Sequence, residues 1–186
     1  MKRFLLFLLA LSLAAGLIAC APGDTAEPPA EETTAPSATA PETGENTDRA
    51  PDFTVLDGEG NPVKLSDFYG KPIVLNFWAS WCPPCKAELP DFEEASKKYA
   101  GKVTFLMVNL TDGQRETVAI AKSFVESAGY TFPVYYDTAY EASMTFGIRS
   151  IPQTFFIDAA GTPVASATGM ISASQLEEGI GMIFSE

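Results

Sequence analysis

The chain has 186 residues, which leaves room for one ordinary domain of about 100–150 residues plus appended segments. Its formal net charge is −12, and because a surface of that sign repels nucleic acid, we exclude nucleic-acid binding. The composition includes three cysteines and no histidine, which excludes Cys-His and Ser-His nucleophile pairs and imidazole metal ligands. Sulfur is the reactive chemistry that remains.

The first predicted element is an export signal over residues 1–19. A basic pair, Lys2-Arg3, precedes an apolar run that ends in Leu17-Ile18-Ala19-Cys20. The run is shorter than the roughly 20 residues that span a bilayer, which favours a signal peptide over a permanent span. Its last four residues resemble a bacterial lipobox, and the resemblance implies that Cys20 is the first mature residue and carries lipid. An ordinary secretory signal with an incidental cysteine, or an uncleaved short anchor, is the alternative.

Residues 20–50 are predicted to form an acidic, disordered tether that starts at the lipidated cysteine. After Cys20 the segment is rich in Pro, Ala, Thr and Glu and has no aromatic or branched aliphatic side chain, so it cannot form a core. A flexible chain of this length spans on the order of 30 Å. We expect it to let the following domain move near a membrane.

Residues 51–186 alternate strand and helix signals and are predicted to form the folded domain. Strand-like apolar runs occur at 73–79, 103–110 and 131–136, and helical spacing of apolar residues occurs at 83–99, 116–128 and 139–146. Two further strands at 154–157 and 163–168 flank a turn-rich connection, which predicts a hairpin. Ser174 and Glu177 match a capping box that opens a last helix reaching Phe184. This order predicts an α/β fold with a central mixed β-sheet and helices on both faces.

Cys82-Pro83-Pro84-Cys85 lies at the junction of a buried strand and a helix. Free N–H groups and the helix dipole stabilise a thiolate there, so the pKa of Cys82 is expected to lie below the roughly 8.5 of a free cysteine. Pro83 and Pro84 suit the first helical turn, where N–H groups lack partners anyway, which leaves the N–H of Cys85 as the first donor available to the Cys82 sulfur. The spacing predicts that Cys82 attacks a substrate disulfide and that Cys85 resolves the mixed disulfide.

Two other interpretations of the cysteine pair are weaker. Half of a structural zinc site would need two more ligands, and the third cysteine, Cys20, lies beyond the tether. A static disulfide would contribute little across so short a loop. We therefore predict no metal, and no cofactor apart from the redox-active disulfide Cys82–Cys85.

Two segments resemble the TlpA/ResA-like branch of the thioredoxin superfamily. Residues 76–90, NFWASWCPPCKAELP, resemble the active-site segment of that branch, and residues 147–158, GIRSIPQTFFID, resemble the segment around its cis-proline. The resemblance covers about residues 52–184. It implies a thioredoxin-like fold with one inserted strand-helix unit between Cys85 and Pro152.

The same resemblance assigns a substrate-binding surface beside the dithiol. It implies that Ile151-Pro152 is a cis peptide bond packed against the disulfide, with the Ile151 backbone pairing with an extended substrate segment. Trp81 would flank the nucleophile as a surface for the partner, with packing alone as the alternative.

Asn76 and Glu88 are the polar residues that the resemblance places near the cysteines. Asn76 stands where thioredoxins proper carry a buried aspartate, and it cannot accept a proton. Glu88 resembles the acid of this branch that would take the Cys85 proton and raise the pKa of both thiols. The alternative is a solvated first-turn glutamate that stabilises the helix dipole.

By resemblance, the chain is a protein-disulfide oxidoreductase, lipid-anchored in the bacterial cell membrane with its domain on the extracytoplasmic side. It would pass electrons from a membrane donor of the CcdA/DsbD type to oxidised exported proteins, such as apocytochrome c or a methionine sulfoxide reductase. One alternative is peroxide reduction, for which relatives of this fold use a single cysteine preceded by threonine and supported by arginine. The other is a lipoprotein that binds a ligand and keeps a vestigial dithiol.

Overall fold

The computed structural model describes residues 48–185. The predicted signal peptide, the Cys20 lipid site and residues 21–47 of the predicted tether lie outside the described residues. The end of the predicted tether belongs to the folded part, because Ala50 is buried and its N–H donates to the Gly161 carbonyl at 2.9 Å. Arg49 Nε also donates to the Ala160 carbonyl at 2.8 Å. The folded part therefore begins ahead of Pro51.

Strands and helices alternate over residues 73–157, as the sequence predicts. The strands are β1 (Thr54–Leu56), β2 (Pro62–Lys64), β3 (Ile73–Trp78), β4 (Thr104–Asn109), β5 (Val134–Tyr136), β6 (Gln153–Ile157) and β7 (Pro163–Thr168). The helices are α1 (Pro83–Lys98), α2 (Val118–Ala128), α3 (Glu141–Thr145) and α4 (Ala173–Ile183), and a short 3-10 helix covers Leu65–Phe68.

One mixed sheet contains all seven of these strands, in the order β2-β1-β5-β4-β3-β6-β7. The strands β3, β4 and β5 run parallel, whereas β6 pairs antiparallel with both β3 and β7. Every residue of β3 is buried, because this strand is central and both of its faces are covered. That is why its sequence is a nearly continuous apolar run rather than an alternating one.

The core has two parts, one on each face of the sheet. Alternate residues of β3 point to opposite faces, so Val74 and Trp78 belong to one part while Ile73, Leu75 and Phe77 belong to the other. The first part contains buried residues of α1 and α4, and the second contains Ala142 of α3. The predicted mixed sheet with helices on both faces is therefore confirmed.

Gly179 marks a close approach of α4 to the sheet, since a Cβ at this position would lie 2.2 Å from Cζ of Phe156 in β6. Gly179→Ala is expected to lower the free energy of unfolding by about 1–3 kcal/mol through overpacking, despite the better helix propensity of alanine. Chemical denaturation measures this change. Gly181→Ala in the same helix is the matched control, because nothing lies within 4 Å of its Cβ position. Equal effects of the two substitutions would contradict the close packing.

The capping box predicted at Ser174 and Glu177 is wrong. The N-cap of α4 is Ser172, whose Oγ accepts from the Gln175 N–H at 3.3 Å while the Gln175 side chain accepts from the Ser172 N–H at 3.0 Å. Glu177 instead accepts hydrogen bonds from Lys98 Nζ and from the Tyr99 hydroxyl, both at 2.6 Å. Its carboxylate therefore joins α4 to the end of α1.

Two elements begin later in the structure than the sequence predicts. The helix α2 begins at Val118 rather than Glu116, because Thr117 is its N-cap and accepts from the Ile120 N–H. The strand β5 begins at Val134 rather than at residue 131. The N–H groups of Thr131 and Phe132 donate to the Glu93 carboxylate, at 2.8 and 3.1 Å, and so do not pair with a strand.

The N-terminal hairpin of β1 and β2, and the 3-10 helix after it, were not predicted. Each of these strands has three residues, which is too short to show a period of two. The predicted short helix at 139–146 is present as α3, over fewer residues.

Candidate active site

Cys82 is the N-cap of α1, and it follows β3 after a three-residue connection. Cys82 and Cys85 are joined as a disulfide with their Cα atoms 5.3 Å apart, and the Cys85 N–H donates to Cys82 Sγ at 3.3 Å. The predicted N-cap position and the predicted donor are both confirmed. Cys82 keeps 3% of its surface exposed and Cys85 none, so Cys82 is the sulfur that a partner can reach.

The Ile151-Pro152 peptide bond is cis, as the resemblance implies. The Ile151 carbonyl oxygen lies 3.7 Å from Cys82 Sγ, and Pro152 is buried with its carbonyl accepting from the Gly169 N–H at 2.8 Å. These contacts place the cis-proline segment directly against the disulfide. That the Ile151 backbone pairs with a substrate remains a prediction.

Asn76 and Glu88 lie in one buried polar network. Asn76 is fully buried in β3, and its Nδ2 donates to Glu88 Oε1 at 2.9 Å and to Thr154 Oγ1 at 3.0 Å. The second Glu88 oxygen accepts from the Ile171 N–H at 3.0 Å. Asn76 Oδ1 has no hydrogen-bond partner among the described residues. The network connects the central strand, α1 and the segment just before α4.

Glu88 is not a solvated residue of the first turn, since only 1% of its surface is exposed. Burial raises the pKa of its carboxyl group from 4.5 to about 7, although the hydrogen bonds from Ile171 and Asn76 act in the opposite direction. Glu88 follows Cys85 by three residues, so both lie on the same side of α1. The site thus holds an acid that exchanges a proton near neutral pH, and its action on Cys85 remains a prediction.

Trp81 is a surface residue beside Cys82, with 37% of its surface exposed. The Arg115 guanidinium lies over its ring, 3.4 Å from the ring centroid. Trp81 also lines an open hollow of about 300 Å³, which we call the Trp81 groove. The groove is lined by Trp81, Leu110, Ile148, Arg149, Ser150 and Ile151. A role of Trp81 in partner contact remains a prediction.

Glu116 supports the loop that leads into the dithiol, a role that the sequence did not reveal. Its carboxylate is fully buried and accepts from the Ser80 N–H at 2.9 Å, the Ser80 hydroxyl at 2.6 Å and Asn109 Nδ2 at 2.7 Å. Ser80 lies two residues before Cys82, so these bonds fix the chain where it enters α1. No local pattern marks this function, because the partners lie in other elements.

Glu116→Gln is expected to lower the free energy of unfolding by about 1–3 kcal/mol, since an amide group would face donors that a carboxylate now satisfies. Chemical denaturation of the oxidised protein measures the change. Glu126→Gln, at an exposed position of α2, is the matched control and is expected to stay within about 0.5 kcal/mol of the wild type. Equal stabilities of the two variants would show that the Glu116 network contributes little.

The site brings together two sulfurs, of Cys82 and Cys85, and the buried carboxyl group of Glu88. Among residues 48–185, no three His, Cys, Asp or Glu side chains lie where they could hold a metal ion.

The model of the AhpC/TSA family matches residues 47–165. The thiol-disulfide oxidoreductase ResA of Bacillus thuringiensis subsp. konkukian is 38% identical over 129 residues, which cover 69% of this chain and 73% of that protein.

The chain belongs to the AhpC/TSA family. Within that family it is a thiol-disulfide oxidoreductase of the ResA type, and its Cys82–Cys85 pair fits the Cys-x-x-Cys dithiol of such enzymes.

Solved structures support the same assignment to the ResA-like AhpC/TSA proteins. A thiol:disulfide interchange protein, DsbE, from Chlorobium tepidum has a TM-score of 0.63 at 32% identity, over 72% of this chain and 93% of that one. The exposed lipoprotein thioredoxin Etrx1 from Streptococcus pneumoniae strain TIGR4 has a TM-score of 0.61 at 32% identity, over 69% of this chain and 96% of that one. The predicted thioredoxin-like fold and the predicted resemblance are therefore confirmed.

Proposed function

We propose that this chain is a membrane-tethered reductant outside the cytoplasm, which reduces disulfides in exported proteins through Cys82 and Cys85. One arrangement carries the proposal. Cys82 is a reachable sulfur at a helix start, and Cys85, a fully buried sulfur, lies one turn further on. Glu88, a buried carboxyl group, lies about one turn beyond Cys85. An attacking thiol, a resolving thiol and a proton acceptor are the groups that a complete reductive cycle needs.

The first step is attack by reduced Cys82 on the substrate. The helix N-terminus and the Cys85 N–H stabilise its thiolate, which attacks one sulfur of the substrate disulfide. A bond forms between Cys82 and that sulfur, the substrate disulfide breaks, and the other substrate sulfur leaves as a thiolate. The backbone of Ile151, already beside Cys82, pairs with the extended substrate segment.

The second step is resolution by Cys85. Its thiol gives a proton to Glu88, and the resulting thiolate attacks Cys82, forming the Cys82–Cys85 bond and releasing the second substrate thiolate. Two electrons have then passed from the dithiol to the substrate. A membrane donor of the CcdA/DsbD type returns them, and apocytochrome c or a methionine sulfoxide reductase are candidate substrates.

The proposed location is supported by the N-terminal sequence, where a basic pair and an apolar run precede Cys20. It is also supported by the similarity to Etrx1, which is itself described as an exposed lipoprotein. No helix within residues 48–185 is long and apolar enough to cross a bilayer. We infer from the Leu17-Ile18-Ala19-Cys20 segment that a lipid on Cys20 supplies the attachment.

Cys20→Ser is therefore expected to move the protein from the membrane fraction to the soluble fraction. A variant that stays in the membrane fraction would favour an uncleaved N-terminal anchor instead.

The direction of exchange is tested by the redox state of the protein in the cell. Rapid acid quenching followed by alkylation separates the dithiol from the disulfide. A reductant is expected to be mostly dithiol, and to become mostly disulfide when the membrane electron donor is removed. A protein that is mostly disulfide in both strains would be an oxidant, which would contradict the proposal.

Peroxide reduction is the second candidate, since the matching family model carries the AhpC/TSA description. Trp81, not threonine, precedes Cys82, and the nearby Arg115 stacks on the Trp81 ring. We therefore expect the reduced protein to be oxidised faster by a protein disulfide than by an equal concentration of hydrogen peroxide. The opposite order would favour the peroxidase.

A further inference from the structure

The Trp81 groove lies beside the reacting sulfur, because two of its lining residues neighbour Cys82. Ile151, whose carbonyl lies 3.7 Å from Cys82 Sγ, lines the groove together with Trp81, the residue before Cys82. Leu110 and Ile148 add apolar surface. A substrate chain bonded to Cys82 has to leave the sulfur over neighbouring surface, and this groove is adjacent to it.

A second hollow shares Ile148 and Arg149 with the groove and has a volume of about 500 Å³. It is lined further along by Tyr140 and Met144, which are 44% and 78% exposed. Exposed apolar side chains in line with a reactive site are typical of a surface that contacts a partner. The two hollows together suit several residues of an extended chain better than a small thiol.

The charge of this surface is opposite to that of the molecule. The whole chain has a net charge of −12, yet the lining of the Trp81 groove contains Arg149 and no acid. Within the described residues, Arg149 is exposed and forms no ion pair. Its guanidinium is therefore available to a carboxylate from outside.

Arg115 adds a second cation next to the groove, held on the Trp81 ring by a cation–π contact. Its charge is partly offset by Asp112. The pKa of Asp112 is lowered, first by hydrogen bonds from the N–H groups of Glu116 and Gln114, and further by the charge of Arg115. Arg149 is thus the cation with the greater freedom to bind a partner.

We propose that the Trp81 groove selects protein disulfides in which the reacting cysteine is flanked by acidic side chains. This inference rests on the proposed function, because it names the substrate class of that same site. The apolar lining takes the neighbouring side chains of an extended segment, and Arg149 binds a carboxylate of that segment. The overall charge alone would favour a basic segment by long-range attraction, so the local and overall charges predict opposite preferences.

The test uses three peptides of equal length, each joined by a disulfide to the same small thiol. The cysteine is flanked by Asp and Glu in the first, by Asn and Gln in the second, and by Lys in the third. The full chain carrying Cys20→Ser is reduced, so that Cys82 and Cys85 are its only thiols. The second-order rate constant of peptide reduction is then measured at low and moderate ionic strength.

The wild-type site is expected to reduce the acidic peptide about two- to fivefold faster than the neutral one, and the basic peptide most slowly. Added salt is expected to narrow these differences. Arg149→Gln is expected to remove the preference and Arg149→Glu to reverse it. Lys71→Glu is the matched control, since it makes the same charge change at an exposed position just before β3. The dithiol follows the other end of that strand, which is about 20 Å away. This control variant is expected to reduce the three peptides in the same order of rate as the wild type.

Three outcomes would overturn the inference. The first is a wild-type preference for the basic peptide, the second is equal rates for all peptides, and the third is the same order in Arg149→Glu as in the wild type. In all three the peptides are still reduced, so the proposed function survives. If the reduced protein reduces none of the peptides, the proposed function fails as well.

Discussion

Cys82→Ser is expected to abolish disulfide reduction, with a loss of at least about 10³-fold, because a serine hydroxyl is not ionised at neutral pH and cannot form a disulfide. Cys85→Ser is also expected to lose turnover, since it keeps the attacking thiol but not the resolving one. The measurement is the initial rate of insulin disulfide reduction with dithiothreitol as the electron donor. Cys20→Ser, which removes the remaining cysteine, is the matched control and is expected to keep the wild-type rate.

The same variants separate the enzyme from a ligand-binding lipoprotein with a vestigial dithiol. Cys82 is the more exposed of the two sulfurs and lies 3.7 Å from the Ile151 carbonyl oxygen, which predicts that exchange depends on Cys82. A Cys82→Ser variant that still reduces insulin at the wild-type rate would contradict this role. So would a wild-type protein with no exchange activity.

Glu88→Gln is expected to slow resolution of the mixed disulfide by about 10²-fold, because glutamine cannot accept the Cys85 proton. Attack by Cys82 on the substrate is expected to change much less. Glutamine fits this site, since Asn76 Oδ1 lacks a hydrogen-bond partner among the described residues and can accept from the new amide after its own amide rotates. Quenched-flow alkylation follows the two steps separately, and the mixed disulfide should accumulate in the variant.

Glu88 also makes stability depend on pH in a predictable direction. Its pKa in the folded, oxidised protein is raised from 4.5 to about 7, chiefly by burial. The folded state therefore holds a proton that the unfolded state has lost. The stabilisation of the folded state by this bound proton is fully present below pH 4.5 and is lost as the pH rises through about 7. The chain has no histidine, so few other side chains titrate in this interval. Glu88→Gln is expected to flatten the dependence.

Glu93→Gln is the matched control, because Glu93 is a second buried glutamate on α1. Burial raises the pKa of Glu93, but hydrogen bonds from Lys97, Thr131 and Phe132 outweigh this and lower it to about 2. The stabilisation of the folded state by ionised Glu93 is present above pH 4.5 and is lost as the pH falls through about 2. The control should change acid stability and leave resolution unchanged. Unchanged exchange rates and pH dependence in Glu88→Gln would show that Glu88 takes no part in proton transfer.

The parts of the fold that could be predicted are those set by neighbours in the sequence. A continuous apolar run identifies β3 because its burial on both faces leaves no alternation. Cys82 could be placed at the N-cap because proline at the next position starts a helix and cannot continue a central strand. The cis bond at Pro152 required the family resemblance, since most X-Pro bonds are trans.

The features that were missed depend on distant residues. Two overlapping stretches at the start of α4 fit the capping-box pattern, one beginning at Ser172 and one at Ser174. In the structure Ser172 is the N-cap, and Glu177 binds Lys98 at the end of α1 instead of capping α4. Glu116 binds Ser80, 36 residues earlier, and no local pattern shows such a partner. Glu88 likewise accepts a hydrogen bond from the N–H of Ile171, 83 residues later, so the sequence left its environment open.

The most direct test of the central claim is to trap substrates in the cell with Cys85→Ser. This variant is expected to accumulate mixed disulfides with exported proteins, and peptide mass spectrometry is expected to find each linkage at Cys82. Cys82→Ser/Cys85→Ser is the control and should trap nothing. Linkages at Cys20 instead of Cys82, or partners found only in the cytoplasm, would contradict a tethered extracytoplasmic reductant that works through the Cys82–Cys85 dithiol.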